Sequence, residues 1–197
     1  SLQSYDFPTS SNNLALFIRG LGNLDSQTLT TDNPVGIYVD DIYIARSTGA
    51  MVDLLDLERV EILRGPQGTL YGRNSSAGAV KFITKKPASE KAFKVAASAG
   101  NFGLANLSAT ADIPVSDTFR AKVSVMSSSV DGWVENKGPN SVGGQPAEDF
   151  NMKKQQAVRA AISWDLTEAV TIDYSYDYAD VDSTPPYFQS RSNSSKR

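Results

Sequence analysis

The sequence predicts a small mixed α+β module over residues 1–87, followed by antiparallel β-strands over residues 88–197. Three observations lead to this reading. A glycine-rich corner joins two short apolar runs within residues 58–87, strict two-residue alternation takes over after Pro87, and the connections in the second part are alternately tight and long. No run of about 18 apolar residues occurs, so a membrane crossing, if there is one, uses strands rather than a helix.

In chain order, Ile18-Arg19-Gly20 ends an apolar run at a turn. Asp40-Asp41 lies between Ile37-Tyr38-Val39 and Ile42-Tyr43-Ile44 and reads as a hairpin turn. A short helix is predicted from near Ala50, with Met51, Val52, Leu54, Leu55 and Leu57 on one side and Asp53, Asp56 and Glu58 on the other. Val60, Ile62 and Leu63 then read as a strand that Gly65-Pro66 stops. Gly68, Gly72 and Gly78 punctuate the return, and Val80-Lys81-Phe82-Ile83-Thr84 forms the second strand of the corner.

Beyond Pro87, Phe93, Val95, Ala97 and Ala99 alternate with Lys94, Ala96 and Ser98. The same period runs through Ala105 to Asp112, Phe119 to Val125, Val158 to Trp164 and Val170 to Tyr178, giving each run one apolar and one polar face. Alternation alone fits a soluble sandwich as well as a barrel. The runs approach the roughly 9 to 11 residues that cross a bilayer at a tilt. Residues 113–118 and 165–169 are tight connections, whereas 130–155 and everything after Asp180 are long and polar, with residues 100–103 a short exception on the long side. Short turns at one end and long loops at the other mark transmembrane barrels. Trp164 near one strand end, and Tyr176 and Tyr178 near another, can serve as interfacial aromatics or as core or cross-strand aromatics.

Residues 58–87, ERVEILRGPQGTLYGRNSSAGAVKFITKKP, resemble the end of the plug domain in TonB-dependent outer-membrane receptors. The matching pieces are Glu58-Arg59-Val60-Glu61, Leu63-Arg64-Gly65-Pro66-Gln67-Gly68, Leu70-Tyr71-Gly72-Arg73-Asn74, Gly78 and Thr84-Lys85-Lys86-Pro87. Ile18-Arg19-Gly20 and the hairpin from Gly36 to Tyr43 add two further blocks in the family's order. Ala77 departs from the pattern where many members carry the first glycine of a pair, and Lys81 where many carry asparagine.

The resemblance implies a plug over residues 1–87, lacking its N-terminal part, and the first strands of a transmembrane β-barrel over 88–197. A family barrel has about 22 strands. About five strands are readable here, so a fragment is expected, with a coupling box before Ser1 and further strands after Arg197. The resemblance implies residence in the outer membrane of a Gram-negative bacterium, as a multi-pass barrel in contact with lipid. It also implies uptake of a scarce nutrient, a ferric siderophore first among them, energised by the TonB-ExbB-ExbD complex. Arg19 and Arg64 would pair with glutamates of the barrel wall, for which the bidentate guanidinium fork is suited. Asn23, Asp25, Gln27, Arg46 and Ser47 would lie on plug loops that touch the cargo.

The residues themselves exclude several other chemistries. Cysteine and histidine are both absent, which removes thiol nucleophiles, disulfides and the commonest general base and zinc ligand. Gly65 to Arg73 lacks the Gly-Lys-Ser/Thr of a phosphate loop, and Gly20-Leu21-Gly22 meets Asp25 where a dinucleotide fingerprint needs its third glycine. Glu58, Glu61, Asp53 and Asp56 read as a solvated face rather than a carboxylate pair for hydrolysis. Asp173, Asp177, Asp180 and Asp182 lack the spacing and central glycine of a calcium loop. A net charge of -3 gives no reason to expect a nucleic-acid partner, and neither a cofactor nor enzymatic activity is expected. The N-terminal Ser1-Leu2-Gln3-Ser4-Tyr5-Asp6 has no signal-peptide character. The rival readings are a soluble all-β binding or adhesion module and a β-rich carboxylate hydrolase.

Overall fold

The computed structural model describes residues 2–7, 10–23, 32–45, 56–72, 74–136, 148–185 and 187. Three sheets organise them. Strands β1 (Leu2–Phe7), β2 (Ser10–Ile18) and β3 (Leu21–Gly22) form an antiparallel meander. Strands β4 (Val35–Val39), β5 (Ile42–Tyr43), β6 (Leu57–Arg64) and β7 (Gly78–Thr84) form a four-stranded sheet in the order β5-β4-β7-β6. In it β4 runs parallel to β7 and the other pairs are antiparallel.

These two sheets bury the apolar side chains of the N-terminal half between them. Leu16 and Ile18 of β2 meet Val35 and Ile37 of β4 and Val80 and Phe82 of β7, with Ala77 closing one end. Both two-residue hairpin turns have positive φ at both corners: 54° and 81° at Arg19 and Gly20, and 47° and 67° at Asp40 and Asp41. That geometry matches the right-handed twist of the strands, and aspartate tolerates it better than most side chains. The corner at residues 65–77 holds the short helix α1 (Gly68–Tyr71), which local pattern did not reveal. Gly78 has φ +151, and a Cβ there would strike the Leu63 carbonyl oxygen and the Ile18 side chain. The positive φ and the close approach of the neighbouring strand β6 therefore require glycine at this position.

The helix predicted from near Ala50 falls mostly outside the described residues. Where the chain is described again, Leu57 and Glu58 are extended as the first residues of β6; Leu57 pairs with Thr84 of β7, and Glu58 lies at an irregularity before Arg59 pairs with Ile83. The apolar residues of this stretch thus belong to a strand at its C-terminal end, because β7 supplies hydrogen-bond partners that an isolated helical turn would lack.

The third sheet is an antiparallel meander of five strands: β8 (Ala92–Ala99), β9 (Ala105–Pro114), β10 (Phe119–Val130), β11 (Lys153–Thr167) and β12 (Val170–Ser183). Its later strands, with 12, 15 and 14 residues, exceed the length a tilted bilayer crossing needs. Tight turns at residues 115–118 and 168–169 lie at one end, and the connection over 131–152 lies at the other. Within the described residues the sheet is open, with β8 and β12 as its edges.

Cross-strand register sorts the side chains of this meander into two faces. One row joins Tyr176, Ala160, Val123, Ala111 and Phe93, and the next joins Tyr178, Val158, Val125, Ala109 and Val95. This apolar face is exposed: Tyr174 keeps 61%, Tyr176 56% and Phe93 74% of its surface open. The opposite face carries Lys122, Ser124, Gln155, Arg159 and Ser163, all buried. Solvent exposure is the reverse of what a water-soluble sheet shows, where the apolar face is covered and the polar face is wet.

Candidate functional site

The polar face of the meander rests on the N-terminal sheets through two clusters of charge. The first is centred on Arg159 of β11, which the sequence period places on the polar face between Ala157 and Ala161. One guanidinium nitrogen donates to Asp177 Oδ1 and Oδ2 of the neighbouring β12 at 3.0 and 3.1 Å. The other donates to Asp40 Oδ2 at 2.7 Å and to Thr84 Oγ1 at 3.0 Å, both in the four-stranded sheet region. Asp40 occupies the β4–β5 turn and is held there by its own sheet. Thr84 donates to it through its backbone N–H at 2.8 Å and its hydroxyl at 2.7 Å. The planar fork of arginine suits this task, since it binds two carboxylates in fixed directions and stays charged.

The second cluster is centred on Asp56, just before β6. Lys122 of β10 reaches Asp56 Oδ2 at 2.8 Å, and Lys85 reaches Oδ1 at 3.1 Å. Lys122 also lies 3.9 Å from Asp112 on the adjacent strand β9. Burial, the largest single influence on the Asp56 carboxyl, raises its pKa. The hydrogen bonds and charges of Lys122 and Lys85 together outweigh it and hold the group below the ordinary aspartate range. The two clusters adjoin, and Asp56, Lys122, Thr84 and Arg159 share the wall of one small cavity. Lys86, at the start of the linker into the meander, adds a third contact with Asp173 of β12 at 2.6 Å.

Beside these clusters lies an open cleft of about 490 Å³ between the four-stranded sheet and β12. Its sheet side carries a ladder of charges in which the largely buried Lys81 pairs with the exposed Asp41 at 2.6 Å and Arg59 pairs with Glu58 and Glu61 at 2.7 and 2.8 Å. The hydrogen bond to Asp41 is the chief reason the Lys81 pKa is raised. Lys81 Nζ also sits 5.8 Å above the Tyr71 ring. The carboxylates Glu58 and Glu61 thus share one exposed guanidinium and do not face each other across a cleft.

The glycine-rich corner is tied to the β4–β5 hairpin by its non-glycine residues. Tyr38 donates its hydroxyl to the Tyr71 carbonyl at 2.7 Å, and Asn74 donates to the Tyr43 hydroxyl at 2.9 Å. Ser75 donates to the Gly72 carbonyl at 2.8 Å. Asn74 has φ 65°, a conformation asparagine accepts more readily than most residues. The corner thereby fixes the hairpin whose turn carries Asp40.

The residues singled out from sequence fall in different places. Arg19 and Arg64 are exposed on the N-terminal sheets, and neither makes an ion pair with another described residue. Asn23 follows β3 and is partly buried. Asp25, Gln27, Arg46 and Ser47 lie outside the described residues. Asp173 and Asp177 project to the polar face of β12 and bond Lys86 and Arg159, while Asp180 and Asp182 belong to the other register and are exposed. The four aspartates are therefore split between two faces. Sequence reading missed Arg159, Lys122, Asp40 and Asp56 as a set. The available signal was a long cation on the polar side of an alternating strand among small neighbours, Ala157 and Ala161 around Arg159, with Ser124 beside Lys122.

Comparison with known proteins shows what this chain is similar to. Residues 2–79 match the family model described as the TonB-dependent receptor plug domain. The metal-pseudopaline receptor CntO of Pseudomonas aeruginosa is 48% identical over 50 residues, which is 25% of this chain and 7% of that protein. The catecholate siderophore receptor Fiu of Escherichia coli is 30% identical over 96 residues, or 48% of this chain and 12% of that protein. Among solved structures, the ferric yersiniabactin uptake receptor FyuA from Yersinia pestis superimposes with a TM-score of 0.76 at 20% identity, covering 93% of this chain and 28% of that one. The pyoverdine outer membrane receptor FpvA of Pseudomonas aeruginosa gives 0.67 at 18% identity, covering 91% and 23%. The chain thus spans a small part of the length of these relatives. Residues 2–79 thus match the TonB-dependent receptor plug domain in sequence, and the described strands share the fold of solved outer-membrane receptors over most of the chain.

Proposed function

We propose that the protein takes up a scarce nutrient across the outer membrane, most directly a ferric siderophore, with the TonB-ExbB-ExbD complex supplying the energy. The observation that carries this reading is the inverted burial of the meander. Its apolar face is open, while on β10 and β11 its polar face is buried and bonded to the N-terminal sheets through Lys122 and Arg159. A sheet of this kind is stable where hydrocarbon replaces water on the outside and a polar filling occupies the inside. From Val170 to Tyr178 the apolar face of β12 runs roughly 26 Å at about 3.3 Å per residue, which a tilt of about 40° turns into about 20 Å of the ~25 Å apolar band of an outer-membrane barrel. Trp164, stacked edge-on against Phe119 at 6.1 Å, marks one rim, and Tyr178 precedes the exposed Asp180 at the other.

The domain boundary we infer lies at Pro87, with residues 1–87 as plug and 88–197 as wall. The cargo reading draws on the relatives, which are receptors for metal-pseudopaline, pesticin and catecholate siderophores. Uptake of this kind needs gating by a partner and no covalent catalysis, so the protein is read as a transporter rather than an enzyme. Asn23, Asp25, Gln27, Arg46 and Ser47 are proposed to contact the cargo from plug loops. Arg19 and Arg64 are proposed to pair with carboxylates on other parts of the wall. A soluble β-module would need the apolar rows of the meander to pack on a partner sheet, and the N-terminal sheets lie against the other face.

The test uses the complete receptor expressed in a Gram-negative host deleted for its own siderophore receptors. Heat-modifiable mobility in the outer-membrane fraction and TonB-dependent accumulation of labelled ferric siderophore are the expected results. Recovery in the soluble fraction would overturn the membrane reading. Correct insertion with no accumulation of any ferric siderophore would overturn the cargo reading.

A further inference from the structure

Each of the four charges that dock the plug on the wall keeps a second partner on its own side. Arg159 of the wall is shared between Asp40 of the plug and Asp177 of the neighbouring wall strand. Asp40, for its part, is held by the backbone N–H and hydroxyl of Thr84 within the plug. Lys122 of the wall has Asp112 at 3.9 Å on the adjacent wall strand, and Asp56 of the plug has Lys85 at 3.1 Å within the plug. No cross-interface contact in either cluster is the sole partner of the groups that make it.

This arrangement matters because both wall cations are deeply buried. The side chains of Arg159 and Lys122 are only 9% and 7% exposed. Separating a buried ion pair is costly chiefly when one charge is left without compensation. A cation with a partner on its own strand neighbour avoids that state. In addition, Asp40 and Asp177 are two like charges on one guanidinium, so withdrawing Asp40 relieves a repulsion as it breaks an attraction.

We infer that the two clusters form a releasable latch. Asp177 and Asp112 are positioning residues that take over Arg159 and Lys122 as the plug leaves, so that the docked plug is held in register yet can part from the wall without stranding charge. This rests on the reading that the plug moves relative to the wall, and it adds which residues set the cost of that movement. Its distinctive consequence is one of sign. Removing a carboxylate from the plug loosens docking. Removing the partner carboxylate from the wall tightens it, because the cation then has nowhere else to turn.

The experiment measures hydrogen exchange of the peptide spanning residues 78–85, which lies behind the latch, in the complete receptor embedded in lipid nanodiscs. Heat-modifiable mobility confirms that each variant is folded. Asp40→Asn is expected to speed exchange by about tenfold, in line with loss of a charged hydrogen bond. Asp177→Asn is expected to slow it by about threefold, and Asp112→Asn to do the same at the second cluster, so the inference stands on two independent positions. Faster exchange in both wall variants, or none of the variants differing from the parent, would overturn it. Siderophore accumulation is read in parallel. The expected exchange pattern without accumulation leaves the latch standing and removes the cargo reading, whereas accumulation with the wrong exchange signs removes the latch alone.

Discussion

The plug and the wall strands use the same two-residue period and turn it in opposite directions. In the plug, Leu16, Ile18, Val35, Ile37, Val80 and Phe82 point at one another, and the charged ladder of Arg59, Glu61 and Lys81 faces outward. In the wall, Val123, Val125, Val158 and Tyr176 face outward, while Lys122, Ser124, Arg159 and Ser163 are buried. Side chains of similar chemistry thus occupy opposite environments within one chain. The difference teaches that alternation specifies a two-faced strand and nothing more. What each face meets is decided by what covers it: a second apolar sheet in the plug, and in the wall the plug on the polar side, with lipid proposed on the apolar one.

That contrast can be broken most severely in the plug core. Ile18 is fully buried between the two sheets, so Ile18→Ala is expected to cost about 2–5 kcal/mol of plug stability, read as a lower denaturant midpoint for the plug in the complete receptor. The wall should respond to the opposite kind of change. Val123→Arg places a charge in the middle of the outward rows and is expected to cost about 2–4 kcal/mol of insertion into lipid, measured by folding into vesicles. The same substitution on an exposed face of a soluble sheet would change stability by less than about 0.5 kcal/mol.

Smaller effects are expected where the two regions meet. Asp40→Asn leaves Arg159 bound to Asp177 and is expected to cost about 1–2 kcal/mol of plug docking, seen as a shift of the plug unfolding transition with the barrel transition unmoved. The least effect comes from pH. The Asp56 pKa is held low in the docked state by Lys122 and Lys85, against its own burial. Its contribution is therefore fully present above the ordinary aspartate pKa of about 3.9 and is lost as pH falls through the lower docked value. The plug transition should weaken as pH falls below about 3.9 by under about 1 kcal/mol more in the parent than in Asp56→Asn, both followed by the same denaturant titration.

Much of this was legible before the structure. The hairpin at Asp40-Asp41, the strands either side of Gly65 and the strands of the meander all follow from turn residues and period, which are local properties. The short helix α1 and the strand start at Leu57 were not legible, since both are decided by hydrogen bonds to distant partners: Tyr71 by Tyr38, and Leu57 by Thr84. The latch escaped for a similar reason. Arg159 and Asp40 are 119 residues apart, and a charge on an alternating strand looks like any other solvated charge until the register of three sheets is known. The arginines that the family resemblance marked, Arg19 and Arg64, carry a local signal in the glycine that follows each. Arg159 and Lys122 carry none of that kind.

The central claim, that the wall turns its apolar face to lipid and its polar face to the plug, is tested most directly by single-site labelling. The chain has no cysteine, so a single introduced thiol is unambiguous within it. Tyr176→Cys and Ser175→Cys place a fluorophore on adjacent residues of β12 that point to opposite faces, Ser175 lining the cleft beside the latch. In the complete receptor reconstituted into vesicles containing doxyl-labelled lipid, the probe at 176 should be strongly quenched by lipid and protected from aqueous iodide, and the probe at 175 should show the reverse. Equal quenching at the two positions, or lipid quenching at 175 alone, would contradict the account.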